Sequence, residues 1–77
     1  MMSLRRFLDA NPFFIEDKIV IKVDGAPVHI YSGTLSELNF YTVYVYGDYL
    51  VKKVEFPECW RGPQAVAIIT LYEYKGS

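Results

Sequence analysis

Three segments of this chain carry apolar side chains at most alternate positions, and this period of two constrains the fold most. They are residues 18–24, 49–56 and 64–74. In the first segment Ile19, Ile21 and Val23 share one face. A period of two predicts β-strands, because successive side chains of a strand point to opposite faces. The last segment is apolar on both faces through its centre, so we expect it inside a sheet.

Turn signals follow the first strand. Asp24-Gly25 favours a hairpin because glycine accepts a positive φ, and we expect residues 28–31 to form the returning strand. Ser32-Gly33 should end that strand. Thr34 and Glu37 have the spacing of a capping box, which predicts one helical turn directly afterwards.

A short amphipathic helix is predicted at the start of the chain, over residues 3–10. Ser3 is a typical N-cap, and Asn11-Pro12 should end the helix. The apolar side chains at helical spacing are Leu4, Phe7 and Leu8. Two turns of helix are not stable alone, so this apolar face must dock on the sheet.

Residues 40–46 are difficult to interpret because nearly every side chain is apolar or aromatic. Both alternating sets could be buried, which is the pattern of a strand covered on both sides. We therefore favour a strand here. An irregular aromatic loop is the alternative.

These elements predict a single α+β domain over residues 1–77. The short N-terminal helix would pack on a mainly antiparallel sheet of four to five strands. The second face of that sheet would still carry apolar side chains, namely Val20, Tyr31, Val51, Val66 and Ile68. That face needs a cover, which a homo-oligomer would supply.

Composition limits the classes of partner. Aromatic residues make up 17% of only 77 residues, more than so small a core can hide, so some rings should mark a contact surface. A net charge of −1 argues against nucleic acid. No apolar run approaches the ~18 residues of a membrane span. The single cysteine cannot form an internal disulfide, so we expect a cytoplasmic protein.

Catalytic and metal-binding patterns are missing from the sequence. His29 and Cys59 are thirty residues apart, and no metal-ligand spacing surrounds either. No nucleophile has a neighbouring base that the sequence would bring to it. We therefore predict a protein that is not an enzyme and that needs no metal or cofactor.

Two groups of residues are candidates for binding. Trp60 and Arg61 lie in a loop bounded by prolines, and these residue types are enriched in binding hot spots. The second group is a tyrosine series: Tyr41, Tyr44, Tyr46 and Tyr49. Tyrosine supplies contact area at low entropic cost. The alternative for both groups is packing within the sheet.

The order of the motifs resembles small proteins of bacteriophages and prophages of Gram-positive bacteria. The resemblance rests on Ser-Leu-Arg-Arg-Phe-Leu-Asp at 3–9, Ile-Val-Ile-Lys-Val-Asp-Gly at 19–25, His-Ile-Tyr-Ser-Gly-Thr-Leu-Ser-Glu-Leu at 29–38, and the closing apolar strand. It is a pattern of apolar spacing without a catalytic signature. It implies an accessory protein that acts by binding.

The leading hypothesis is a non-enzymatic, phage-type protein that binds a host protein stoichiometrically and inhibits it. The host protein would be, for example, a component of antiviral defence. One alternative is an oligomeric sponge for a nucleotide or cyclic nucleotide, in which Trp60 or a tyrosine stacks on the base and Arg61 or Lys52 holds phosphate. A structural or assembly module is the third possibility.

Overall fold

A computed structural model describes residues 2–10, 13–56 and 67–75 of the chain. In these residues the elements follow in the order α1 (Leu4–Asp9), β1 (Lys18–Val23), β2 (Tyr31–Thr34), a 3₁₀ turn (Leu35–Glu37), α2 (Phe40–Tyr46), β3 (Tyr49–Glu55) and β4 (Ala67–Lys75). The predicted α+β class is confirmed.

The four strands form one sheet with the order β2-β1-β4-β3. The two outer pairings are antiparallel, whereas β1 and β4 at the centre are parallel. The prediction of a mainly antiparallel sheet is therefore confirmed, and β4 lies in the interior as expected. The parallel pair requires a long crossover, which β2, α2 and β3 provide.

Both helices lie on one face of the sheet, where the core forms. The fully buried core cluster consists of Leu4, Ile19, Ile21, Ile69 and Leu71. From the helices, Phe7, Leu8 and Tyr46 pack against this cluster. Each buried aliphatic side chain contributes about 1.5–3 kcal/mol relative to exposure, so the alternation in β1 and β4 supplies much of the stability.

The N-terminal helix forms as its sequence predicts. The Ser3 hydroxyl accepts a hydrogen bond from the Arg6 N–H at 3.2 Å, which satisfies one of the free donors of the first turn. Helix α1 ends at Asp9, with Ala10 as its C-cap. The predicted stop at Asn11-Pro12 lies outside the described residues.

The prediction of a strand over residues 40–46 is wrong, and so is the alternative of an irregular loop, because this segment is helix α2. The Asn39 side chain caps its first turn by accepting from the Thr42 N–H at 2.7 Å. The last turn closes when Gly47 N–H donates to the Val43 carbonyl at 2.8 Å. These caps outweigh the strand preference of the aromatic and β-branched residues between them.

The returning strand begins three residues later than predicted. Gly25 has the expected positive φ of +83°, but the chain runs on through an exposed loop before β2 starts at Tyr31. Ser32-Gly33 therefore lies inside β2 and does not end it. The predicted helical turn is present as the 3₁₀ turn. The Thr34 hydroxyl donates to the Glu37 carboxylate at 2.9 Å and does not accept from a backbone N–H of that turn, as a capping box would require.

The predicted second face of the sheet is partly wrong. Val20 and Ile68 pair across β1 and β4 away from the core cluster. Tyr31 and Val51 pack against the core instead. Their cross-strand partners are core residues of β1 and β4, and residues paired across a sheet share a face. Val66 lies outside the described residues.

Strand β3 departs from simple alternation. Its register with β4 shifts twice, between Tyr49 and Val51 and between Val51 and Lys53. As a result Tyr49, Val51 and Val54 all pack against the core, although a constant period would place Val54 on the opposite face. The N-terminal segment pairs with the start of β3 on its outer side. The Val51 N–H donates to the Met2 carbonyl at 2.8 Å.

Candidate functional site

Helix α2 presents three large rings to solvent. The exposed fractions are 83% for Phe40, 71% for Tyr41 and 72% for Tyr44. A helix turns by about 100° per residue, so positions 40, 41 and 44 fall within an arc of about 100°. We call this set, Phe40, Tyr41 and Tyr44, the aromatic face.

The opposite side of α2 fixes the helix to the domain. Thr42 is buried, and Tyr46 packs against the core cluster. The C-terminal end is held by α1, because the Arg5 N–H donates to the Gly47 carbonyl at 2.9 Å. The Arg5 guanidinium also pairs with the Asp48 carboxylate. The aromatic face is therefore displayed on an anchored element.

The tyrosine series predicted as a binding group is divided by the structure. Tyr41 and Tyr44 lie on the aromatic face, whereas Tyr46 and Tyr49 are half-buried and pack against the core. The rings of Tyr46 and Tyr49 are 5.2 Å apart at their centroids and tilted by 59°. The core-packing alternative therefore applies to this second pair.

Phe40 is a member of the aromatic face that sequence reasoning missed. In the predicted strand, Phe40 would be one of several apolar side chains on a covered face, so nothing marked it as a surface residue. The signal that could have found it is local: Asn39 is a good N-cap, and a helix beginning after it brings positions 40, 41 and 44 together.

Trp60, Arg61 and Cys59 lie outside the described residues. His29 is exposed in the loop between β1 and β2. Within the described ranges, no group of three or more His, Cys, Asp or Glu side chains could hold a metal ion. In that same part of the chain, no helix has the length and apolar character needed to cross a membrane.

Lys52, a candidate for holding phosphate, already has an anionic partner. Its ammonium group donates to the Asp24 carboxylate at 2.8 Å. This hydrogen bond raises the pKa of Lys52 and lowers the pKa of Asp24. The Lys52 ammonium also lies 5.9 Å from the centroid of the Tyr72 ring. A phosphate at Lys52 would have to compete with Asp24.

No protein-family model matches the chain, and comparisons with curated proteins and with solved structures gave no match. The chemistry of the aromatic face is therefore the basis for a functional interpretation.

Proposed function

We propose that this protein acts by stoichiometric binding to a partner protein, with the aromatic face of α2 as the contact surface. The observation that carries the proposal is the exposure of three large rings on one side of one helix. At about 150–250 Å² per aromatic side chain, they present roughly 450 Å² of largely apolar surface. Patches of this size on a monomer are often functional.

The composition of α2 favours a protein partner over a nucleotide. Residues 40–46 contain no charged side chain, whereas phosphate recognition relies on arginine, lysine or a set of backbone donors. Aromatic anchors spaced along a helix suit an apolar groove on another protein. The two phenol groups add hydrogen bonds at the rim of such a groove.

The resemblance to small phage and prophage proteins supports a particular version of this function. The partner is then a host protein, such as a component of antiviral defence, which the bound protein inhibits without catalysis. The homo-oligomer predicted from the sequence remains a prediction.

The proposal is tested by quantitative affinity capture from a Gram-positive bacterial lysate. The bait is the wild-type chain, the double variant Phe40→Ser/Tyr44→Ser, or the matched control Val28→Ser, which alters an exposed apolar residue of the loop between β1 and β2. We expect the wild type and the control each to retain one protein, in an amount equimolar with the bait. The double variant should not retain it. Equal retention by all three baits would refute the proposal.

A further inference from the structure

A second exposed apolar element lies at the turn before β1. Phe14 is 81% exposed and Ile15 is 66% exposed. The turn is closed by Asp17, whose carboxylate accepts from the Phe14 N–H at 3.0 Å. The Asp17 N–H in turn donates to the Phe14 carbonyl at 3.0 Å. The two apolar side chains are therefore presented on a hydrogen-bonded turn.

This turn is joined to the segment that leads into α2. The Ser36 N–H donates to the Ile15 carbonyl at 2.8 Å, and the Leu35 N–H donates to the Asp17 carbonyl at 2.9 Å. Ser36 precedes Phe40 by four residues, which span at most about 14 Å. The turn therefore lies near the end of α2 that carries Phe40.

The combined area suits one protein partner. The aromatic face alone supplies roughly half of the ~800 Å² that one partner contributes to a standard interface. Adding Phe14 and Ile15 raises the apolar area to roughly 700 Å². A footprint of ~800 Å² is about 30 Å across, so a single partner can cover both elements.

The charges beside the turn and in the segment that leads into α2 are acidic. At the other end of α2 the Arg5 guanidinium contacts the Val43 carbonyl and pairs with the Asp48 carboxylate. Glu16, Asp17 and Glu37 form no ion pair with any residue in the described ranges. The Asp17 and Glu37 carboxylates only accept hydrogen bonds, from the Phe14 N–H and the Thr34 hydroxyl. Lys18 follows directly, but alternation with the buried Ile19 directs its side chain to the opposite face of the sheet.

We infer that the aromatic face and the Phe14–Ile15 turn form one bipartite docking surface, and that its occupant is a protein whose apolar groove is rimmed by lysine or arginine. The inference rests on the proposed function and specifies the partner chemistry. A second copy of this chain would bring the acidic rims together, and like charges across an interface are unfavourable. An anionic membrane surface attracts basic segments, not acidic ones.

Site-specific photo-crosslinking tests the footprint. The full chain carries p-benzoylphenylalanine at position 14, at position 40 or, as the control, at position 28, and each version is irradiated in the bacterial lysate. We expect the same protein to be crosslinked from positions 14 and 40, but not from position 28. A protein adduct at position 40 without one at position 14 would overturn the bipartite surface and leave the proposed function intact. The absence of a protein adduct at both positions would refute the proposed function itself.

The identity of the adduct tests the occupant as well. A crosslink to another copy of this chain, or to lipid, would overturn the assignment to a basic-rimmed protein.

Charge reversal tests the rim. The partner protein that the crosslink from position 40 identifies is purified, and its rate of association with each charge variant is measured. Glu16→Lys is compared with Glu73→Lys, which makes the same change of charge near the other end of the sheet. Glu16→Lys/Glu37→Lys is compared with the wild type. We expect the double variant to associate with the partner about tenfold more slowly than the wild type does at low ionic strength. This difference should shrink at roughly 0.5 M NaCl, where screening is strong. Equal association rates for Glu16→Lys and Glu73→Lys would overturn the basic rim.

Discussion

The hydroxyl of Tyr31 passes close to Gly33, where an added Cβ would lie 2.9 Å from the hydroxyl oxygen. That hydroxyl donates a hydrogen bond to the carbonyl of Thr34. β2 lies at the edge of the sheet that the described residues form, and the Tyr31 side chain runs along this strand from its first residue towards its last.

Replacing Gly33 by alanine should destabilise the domain. The new methyl group would displace the Tyr31 hydroxyl from the Thr34 carbonyl, and we expect a loss of about 1–3 kcal/mol, as for other overpacked sites. The measurement is a double-mutant cycle in urea with Gly33→Ala and Tyr31→Phe. The cost of Gly33→Ala should be smaller in the Tyr31→Phe background. Equal costs in both backgrounds would contradict the contact.

The stability of the domain should fall in alkaline solution through Tyr31. Burial, and secondarily the charge of Glu37, raises the pKa of Tyr31 above its ordinary value of 10.0. Below pH 10 the tyrosine is protonated in both states and its contribution is fully present. Above pH 10 the unfolded chain ionises first, so stability is lost as the pH rises towards the folded pKa.

Urea denaturation at a series of pH values from about 8 upwards measures this effect. The quantity compared is the free energy of unfolding of the wild type and of Tyr31→Phe at each pH. The variant should lose less stability than the wild type above about pH 10. Glu37→Gln should fall between them, since it removes the smaller of the two causes. Parallel pH profiles for the wild type and Tyr31→Phe would refute the assignment.

Thr70 is a site where a substitution should stabilise the protein. Its side chain is 1% exposed, and its hydroxyl makes no hydrogen bond with the part of the chain that the structure describes. Valine has nearly the same shape without the buried polar group, so Thr70→Val should add about 1 kcal/mol to the free energy of unfolding. Thr70→Ser, which keeps the hydroxyl and removes the methyl group, should be destabilising. A lower Tm for Thr70→Val would contradict this prediction.

The helical cap before α2 should be important for stability. The Asn39 amide oxygen accepts from both the N–H and the hydroxyl of Thr42. Asn39→Ala should cost about 0.5–2 kcal/mol, whereas Asn39→Asp should retain most of the stability because aspartate is also a good cap. Urea denaturation measures both variants. If alanine and asparagine are equivalent at this position, the cap does not hold the helix.

The parts of the fold that were predictable from the sequence are those where one face is buried. Ile19 and Ile21 alternate with Lys18, Val20 and Lys22, and the two lysines leave one face for the core. Ser3 marks the start of α1 because a serine before an apolar helical pattern satisfies a free N–H. In both cases the local pattern and the tertiary environment favour the same structure.

The predictions that were wrong concern segments whose local pattern fits two structures. Residues 40–46 have aromatic and β-branched side chains on every side, so only the caps at Asn39 and Gly47 distinguish a helix from a strand. The shifts of register in β3 depend on pairing with β4, which lies beyond local sequence. For the binding surface, the sequence identified Tyr41 and Tyr44 as candidates because the group was chosen as a tyrosine series, which leaves out Phe40. The strand prediction also placed Tyr41 on the face opposite Phe40 and Tyr44, whereas the helix brings the three rings together.

Isothermal titration calorimetry measures directly how much the aromatic face contributes to binding. The purified chain is titrated with its separately purified partner, which the crosslink from position 40 identifies. We expect a 1:1 complex, and a rise in Kd of at least about 100-fold for Phe40→Ser/Tyr44→Ser, the size expected when hot-spot residues are truncated. The Tm of that variant should stay close to that of the wild type, because exposed side chains contribute little to folding stability. An unchanged Kd in this variant, with Val28→Ser as the matched control, would contradict the claim that the aromatic face is the binding surface.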